Sequence, residues 1–181
     1  MTLVLETPRL RLTHLSEADA PFILELLNEP AFLRDIGDKN VRTAEDACPY
    51  LREGPIASYA QHGFGLYRIE LKTTREPLGM CGILKRGVLQ HPDLGYALLQ
   101  RHWARGYAIE AAAATMSYAS EQLGLDPILA ITAPENPSSI RVLEKLGFQF
   151  DRIVALAGYD SPSKLFTWSR PDRAPQSIPS V

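Results

Sequence analysis

Hydrophobic positions along this 181-residue chain change period in a legible order. Leu10, Leu12 and His14 alternate with Arg9, Arg11 and Thr13, which predicts a strand. Ser16 with Asp19, and Thr43 with Asp46, form capping boxes. The first opens a helix to about residue 28, limited by Pro30; the second opens one to about residue 59, with a break expected at Gly54-Pro55. Three apolar runs at 63–72, 77–84 and 93–99, separated by turn-rich segments, then predict an antiparallel meander.

An alanine-rich helix over 106–123 follows, stopped by Gly124, and a short buried strand over 127–133 joins through a βαβ crossover. Ile140, Leu143 and Leu146 give a second helix its apolar spacing, with Asn136 as N-cap, Pro137 at the first helical position and Gly147 ending it. A strand begins at Phe148, and a final strand near 163–169 pairs with it. The fold class is therefore α+β: a single domain over 1–170 with a central, mixed, mostly antiparallel sheet flanked by helices. Residues 171–181 have too little apolar content to fold alone and read as a flexible tail.

With 45% hydrophobic and 22% charged residues, the chain can bury the core of one domain. A net charge of −2 gives no global attraction for nucleic acid or an anionic membrane, and neither is expected as a partner. Cys48 and Cys81 have neither disulfide nor zinc spacing and read as buried small hydrophobes; no metal is expected. The first residues lack a signal-like apolar core, and no apolar run is long enough to span a bilayer, so a cytoplasmic location is expected.

The candidate chemistry begins in 94–114, where a strand-like run passes through Arg105, Gly106, Tyr107 and Ala108 into the alanine-rich helix. A helix that starts at small residues directly after a strand presents unpaired amides and its positive end to an anion. A strand-turn-helix junction carrying one glycine is also an ordinary structural feature. The segment lacks the Lys-Ser/Thr of a P-loop and the spaced glycines of a dinucleotide fingerprint.

The 103–108 segment, WARGYA, resembles the pyrophosphate loop of the GNAT superfamily of acyl-CoA N-acyltransferases, Q/R-x-x-G-x-G/A. About thirty residues on, 136–148 (NPSSIRVLEKLGF) resembles that superfamily's second segment, N-x-x-S…G-F. The opening TPRLRLTHLSEADA and Leu94-Gly95-Tyr96 are similar to the ribosomal-protein N-terminal acetyltransferase branch. Two positions depart from the loop pattern: Trp103 replaces Gln or Arg, and Ala104 stands where the branch commonly has glycine.

The resemblance implies acetyl-CoA as co-substrate, its pyrophosphate held by the backbone of Arg105, Gly106, Tyr107 and Ala108. Its pantetheine arm would lie between splayed strands, with Leu98 and Leu99 contributing backbone groups. It implies direct transfer of acetyl to a primary amine in a ternary complex, the acceptor being a protein N-terminus or a small molecule. Many GNAT enzymes protonate the leaving thiolate with a tyrosine at the position of Leu143, so that role passes to Ser139. Asn136 is expected at the pantetheine or acetyl group. A helix cap alone for Asn136, and a small first-turn residue alone for Ser139, are the structural alternatives.

No general base stands out among Glu70, Asp93, Glu135, Asp160, His62, His91 and His102, each of which also reads as an ordinary surface or packing residue. Arg141 and Lys145 could meet a ribose phosphate or simply form a solvated face. Glu25, Glu29, Arg34, Asp35 and Asp38 would give the acceptor cleft a polar lining. The alternative function is a non-catalytic acyl-CoA-binding sensor, and a homodimer is compatible with either.

Overall fold

Alternation in the strands and alanine on one helix face decide the two layers that position the site. The computed structural model describes residues 2–159 and 161–171. In chain order the elements are β1 (Leu3–Glu6), β2 (Leu10–His14), α1 (Ala20–Leu27), α2 (Pro30–Asp35), α3 (Ala44–Leu51), α4 (Ala57–His62), β3 (Leu66–Leu71), β4 (Pro77–Leu84), β5 (Asp93–Leu98), α5 (Tyr107–Glu121), β6 (Ile128–Thr132), α6 (Pro137–Lys145), β7 (Gln149–Val154) and β8 (Ser163–Trp168). They form one α+β domain with an eight-stranded mixed sheet ordered β1-β2-β3-β4-β5-β6-β8-β7. Neighbouring strands are antiparallel except β5 and β6, which the α5 crossover makes parallel.

The Thr43 box forms in full, whereas at Ser16 the Ser16 amide donates to Asp19 at 2.8 Å but the Asp19 amide donates to the Ser16 backbone carbonyl at 3.0 Å. The Asp46 amide donates to the Thr43 hydroxyl at 3.1 Å while the Thr43 amide donates to Asp46 at 2.9 Å. Pro30 does not merely limit α1; it opens α2 at the first helical position, where its missing N–H costs nothing. Gly54-Pro55 likewise does not end the helical path: the chain widens to a π-helical stretch over Arg52–Ile56 and resumes as α4. The strand β1 pairs with β2 at the sheet edge and is additional to the predicted set. The predicted tail falls almost wholly on residues 172–181, outside the described residues.

One sheet face packs Leu10, Leu12, Tyr67, Ile69 and Leu78 against Ala111, Ala112, Met116 and Ala119 of α5. Those alanines let the helix backbone approach the sheet; larger side chains there would overpack by about 1–3 kcal/mol each. The other face carries Ile23, Leu26, Leu27 and Leu51 on Leu66, Met80, Ala97 and Leu99. Cys81 is fully buried, and burial pushes its thiol up to about 12, whereas Cys48 is only partly covered.

Among the described residues, the β5–β6 ladder holds one register pair, Asp93 opposite Leu129. Beyond it the strands part. A cleft of about 960 Å³ opens there, lined by β5, the loop before α5, the start of α6, α2 and the connection between β7 and β8.

Candidate active site

The loop end of the cleft is built from backbone. The Leu99 amide donates to the Leu78 carbonyl at 2.9 Å, and its side chain is fully buried. Strand alternation then turns the amide and carbonyl groups of Tyr96 and Leu98 the other way, toward β6 and the gap. Of the two leucines read from sequence, Leu98 therefore lines the cleft and Leu99 belongs to the core. The Leu98 carbonyl accepts from the Trp103 indole at 2.8 Å, so Trp103 pins the loop to the strand end.

Ala104 and Gly106 both adopt left-handed backbone, with φ of +58° and +78°. Gly106 caps α5, whose first helical bond runs from the Glu110 amide to the Gly106 carbonyl at 3.1 Å. The amides of Tyr107, Ala108 and Ile109 thus precede any intrahelical acceptor, and all three residues line the cleft. A pyrophosphate fits this cradle: open amides, the positive end of a fifteen-residue helix and no bulky side chain at Ala104, Gly106 or Ala108.

Glu110 would set an unwelcome charge in that first turn, and Arg9 cancels it. The Arg9 Nε donates to Glu110 Oε2 at 2.6 Å, and the Arg9 amide to Oε1 at 3.0 Å, with the Thr7 hydroxyl also on Oε1 at 2.6 Å. Burial would raise the Glu110 carboxyl, but these donors outweigh it and hold the group below its ordinary value. Arg9 also donates through Nη1 to the Arg105 carbonyl at 2.9 Å and sits over the Tyr107 ring at 4.6 Å. In the sequence Arg9 is only one of the polar positions alternating with Leu10, Leu12 and His14; nothing local pairs it with a helix a hundred residues away.

Across the gap, α6 brings Asn136 and Ser139 to the same wall. Asn136 Oδ1 accepts the Ser139 amide at 3.0 Å, which makes it the helix cap, and the side chain lines the cleft. The Ser139 hydroxyl lies 3.0 Å from the Tyr96 hydroxyl. Burial, only partly offset by that hydrogen bond, raises Tyr96 to about 12. Leu143 is buried at the base of α6, where it packs in the core. The phenol facing Ser139 thus comes from β5 rather than from α6, and its only sequence signal was the Leu94-Gly95-Tyr96 motif.

The profile of the acetyltransferase (GNAT) domain matches residues 9–149. The chain belongs to the GNAT acetyltransferase family. It is 29% identical over 153 residues to the uncharacterised N-acetyltransferase YoaA of Bacillus subtilis, covering 83% of this chain and 85% of that one. An acetyltransferase from Agrobacterium tumefaciens superposes with a TM-score of 0.80 at 26% identity, covering 94% and 95% of the two chains. RimL, a ribosomal L7/L12 α-N-protein acetyltransferase solved with coenzyme A, shares the fold at a TM-score of 0.70 and 15% identity, over 92% and 97%. The protein is an acetyl-transferring enzyme, and its fold is one that uses acetyl-CoA.

In this GNAT enzyme several candidate bases are engaged elsewhere. Glu70 is not a solvated carboxylate: it is buried and takes Arg11 at 2.8 Å and Arg75 at 3.2 Å. Asp93 is fully buried on Arg86. His62 stacks on Phe64 away from the cleft, and His102 is buried near Glu76, where desolvation lowers its pKa. Glu135 is exposed at the cleft wall with Arg141 and Lys145, and Asp160 falls outside the described residues.

The acidic lining expected at the acceptor end is spent internally. Glu25 pairs with Arg101, Glu29 accepts the Gln100 amide, Asp35 pairs with Arg34 and Asp38 with Arg42. That end instead presents Phe32, Leu33, Ile36, Met80 and Leu84 with Tyr50, Lys39, Arg86 and Tyr159. Among the described residues no group of three His, Cys, Asp or Glu could hold a metal ion. No helix among them is long and apolar enough to cross a membrane.

Proposed function

We propose that this enzyme transfers acetyl from acetyl-CoA directly to a primary amine in a ternary complex, on a protein N-terminus as in the ribosomal-protein branch or on a small molecule. One observation carries the reading: the open amides of Tyr107, Ala108 and Ile109, the gap beside Tyr96 and Leu98, and the Tyr96–Ser139 hydroxyl pair all face one cleft.

In this reading the Arg105–Ala108 backbone and the start of α5 hold the pyrophosphate. The backbone groups of Tyr96 and the Leu98 amide receive the pantetheine arm, joined by the side-chain NH2 of Asn136, while the Leu98 carbonyl stays on the Trp103 indole. The amine then attacks the thioester carbonyl from the Arg86 end; the C–N bond forms, the C–S bond breaks and the thiolate departs.

Deprotonating a lysine at pH 7 costs roughly 3 kcal/mol more than deprotonating an α-amine, from reference pKa values of about 10.4 and 8. An α-amine therefore needs no strong base, and water at the open cleft can take its proton. The thiol reference pKa of about 8.5 lies well below the value of about 12 at Tyr96. Outright proton transfer from Tyr96 to the thiolate is thus uphill by several kcal/mol. The pair acts instead by hydrogen bonding to developing negative charge, Ser139 toward the thioester and Tyr96 orienting Ser139.

Thiol release from acetyl-CoA across an amine library tests the proposal. Amine-dependent release supports it. Micromolar acetyl-CoA binding with no turnover on any amine would instead make the protein an acyl-CoA sensor, a reading that Leu143 in place of the tyrosine favours.

A further inference from the structure

At the acceptor end, the charge is positive and partly unspent. Arg86 Nε donates to both oxygens of Asp93, at 2.9 and 3.1 Å, and Nη1 donates to the Tyr159 hydroxyl. A guanidinium has five N–H donors. The remaining three have no partner among the described residues, while the side chain lines the cleft at 27% exposure. The buried Asp93 carboxylate and the tyrosine hold this fork in one orientation before any ligand arrives.

Lys39 stands on the rim of the same cleft and makes no ion pair among the described residues. Its neighbour Asp38 is occupied by Arg42, and Asp35 by Arg34. Desolvation and the nearby Arg86 charge lower its pKa, which puts the two cations within each other's field. Glu135, the other acidic lining residue, belongs to the α6 wall.

We propose that the amine acceptor carries an oxyanion, a carboxylate or a phosphate, on the same molecule as its amine, bound by the free donors of Arg86 with Lys39 beside it. This rests on the acetyltransferase reading above and narrows its substrate class. A guanidinium fork matches a planar or tetrahedral oxyanion, and fixing that group aims the amine into the cleft. A polyamine meets like charge at the same place and is disfavoured.

The test compares matched acceptors: amino acids against their amides, aminoalkyl phosphates against the parent amino alcohols, and spermidine. The anionic member of at least one pair should have a kcat/KM roughly tenfold or more above its neutral partner, the size of one lost charged hydrogen bond. The pair that shows it distinguishes carboxylate from phosphate. Arg86→Gln should bring the ratio near one, and Lys39→Gln should lower it. Should Arg86→Gln fail to fold with Asp93 left unpaired, Arg86→Lys keeps a cation there but loses the fork.

Ratios near one in the native enzyme, or ratios that these variants leave as they were, overturn the inference while acetyl transfer stands. If no amine is acetylated, acetyl transfer falls, and calorimetry with N-acetyl amino acids against their amides and with N-acetyl aminoalkyl phosphates against the N-acetyl amino alcohols decides the anion site. Acid-selective binding lost in Arg86→Gln supports it, and equal binding overturns it.

Discussion

Arg9 closes on Glu110 across a hundred residues of chain, with its Nε and Nη2 each 2.6 Å from the same carboxylate oxygen. Because Nη1 also holds the Arg105 carbonyl, the contact ties the edge of the sheet to the turn that presents the α5 amides. Arg9→Ala should weaken acetyl-CoA binding about fivefold, the worth of roughly 1 kcal/mol of hydrogen bonding, with a small change in melting temperature because Arg9 is half exposed. Calorimetric Kd values for Arg9→Ala and native protein check this; equal values would remove Arg9 from loop positioning.

Ala104 occupies left-handed backbone at φ +58°, a conformation costing a residue with a Cβ roughly 1–2 kcal/mol. Glycine relieves that strain but gains unfolded-state entropy worth roughly 0.5–1 kcal/mol. Ala104→Gly should therefore stabilise the enzyme by roughly half to one kcal/mol in urea denaturation. Gly106→Ala, at φ +78°, should destabilise it.

The same position shows how sequence and structure divide the information. Capping residues, strand alternation and the Gly106 and Gly147 punctuation are local, so the starts of α3, α5 and α6, the meander and the loop were legible in the chain, whereas Pro30 read as a stop and opens α2. A departure such as Ala104 was legible as a mismatch, but its left-handed backbone was not. Arg9–Glu110, Tyr96–Ser139 and Arg86–Asp93 join elements distant in the chain, and no periodicity reports them. The acidic residues of 25–38 misled for the same reason: their charge was visible, but their internal partners were not.

Tyr96→Phe and Ser139→Ala remove the two halves of one hydrogen bond. Each should lower kcat roughly tenfold while leaving the acetyl-CoA KM within about twofold. The double variant should cost about as much as either single one, since the two act as a unit. Multiplying losses would show independent roles.

Burial, opposed by Arg86, raises Asp93 to about 6, above its unfolded value of about 3.9. The folded state therefore holds this proton more tightly, so the group's contribution is full below pH 4 and is lost as pH rises through about 6. Melting of native protein against Asp93→Asn from pH 4 to 7.5 should show the native advantage shrinking as pH rises. A difference independent of pH would contradict the buried titration.

Ala108→Glu puts a negative side chain where the first amides of α5 are proposed to bind the pyrophosphate of acetyl-CoA. Ala108 lies in the first turn of α5 and lines the cleft, so an acidic side chain there suits the helix end yet repels a phosphate. The variant should keep an unchanged or slightly raised melting temperature and show no calorimetric binding of acetyl-CoA at concentrations that saturate the native enzyme. Binding within threefold of native by the folded variant would contradict that placement of the pyrophosphate.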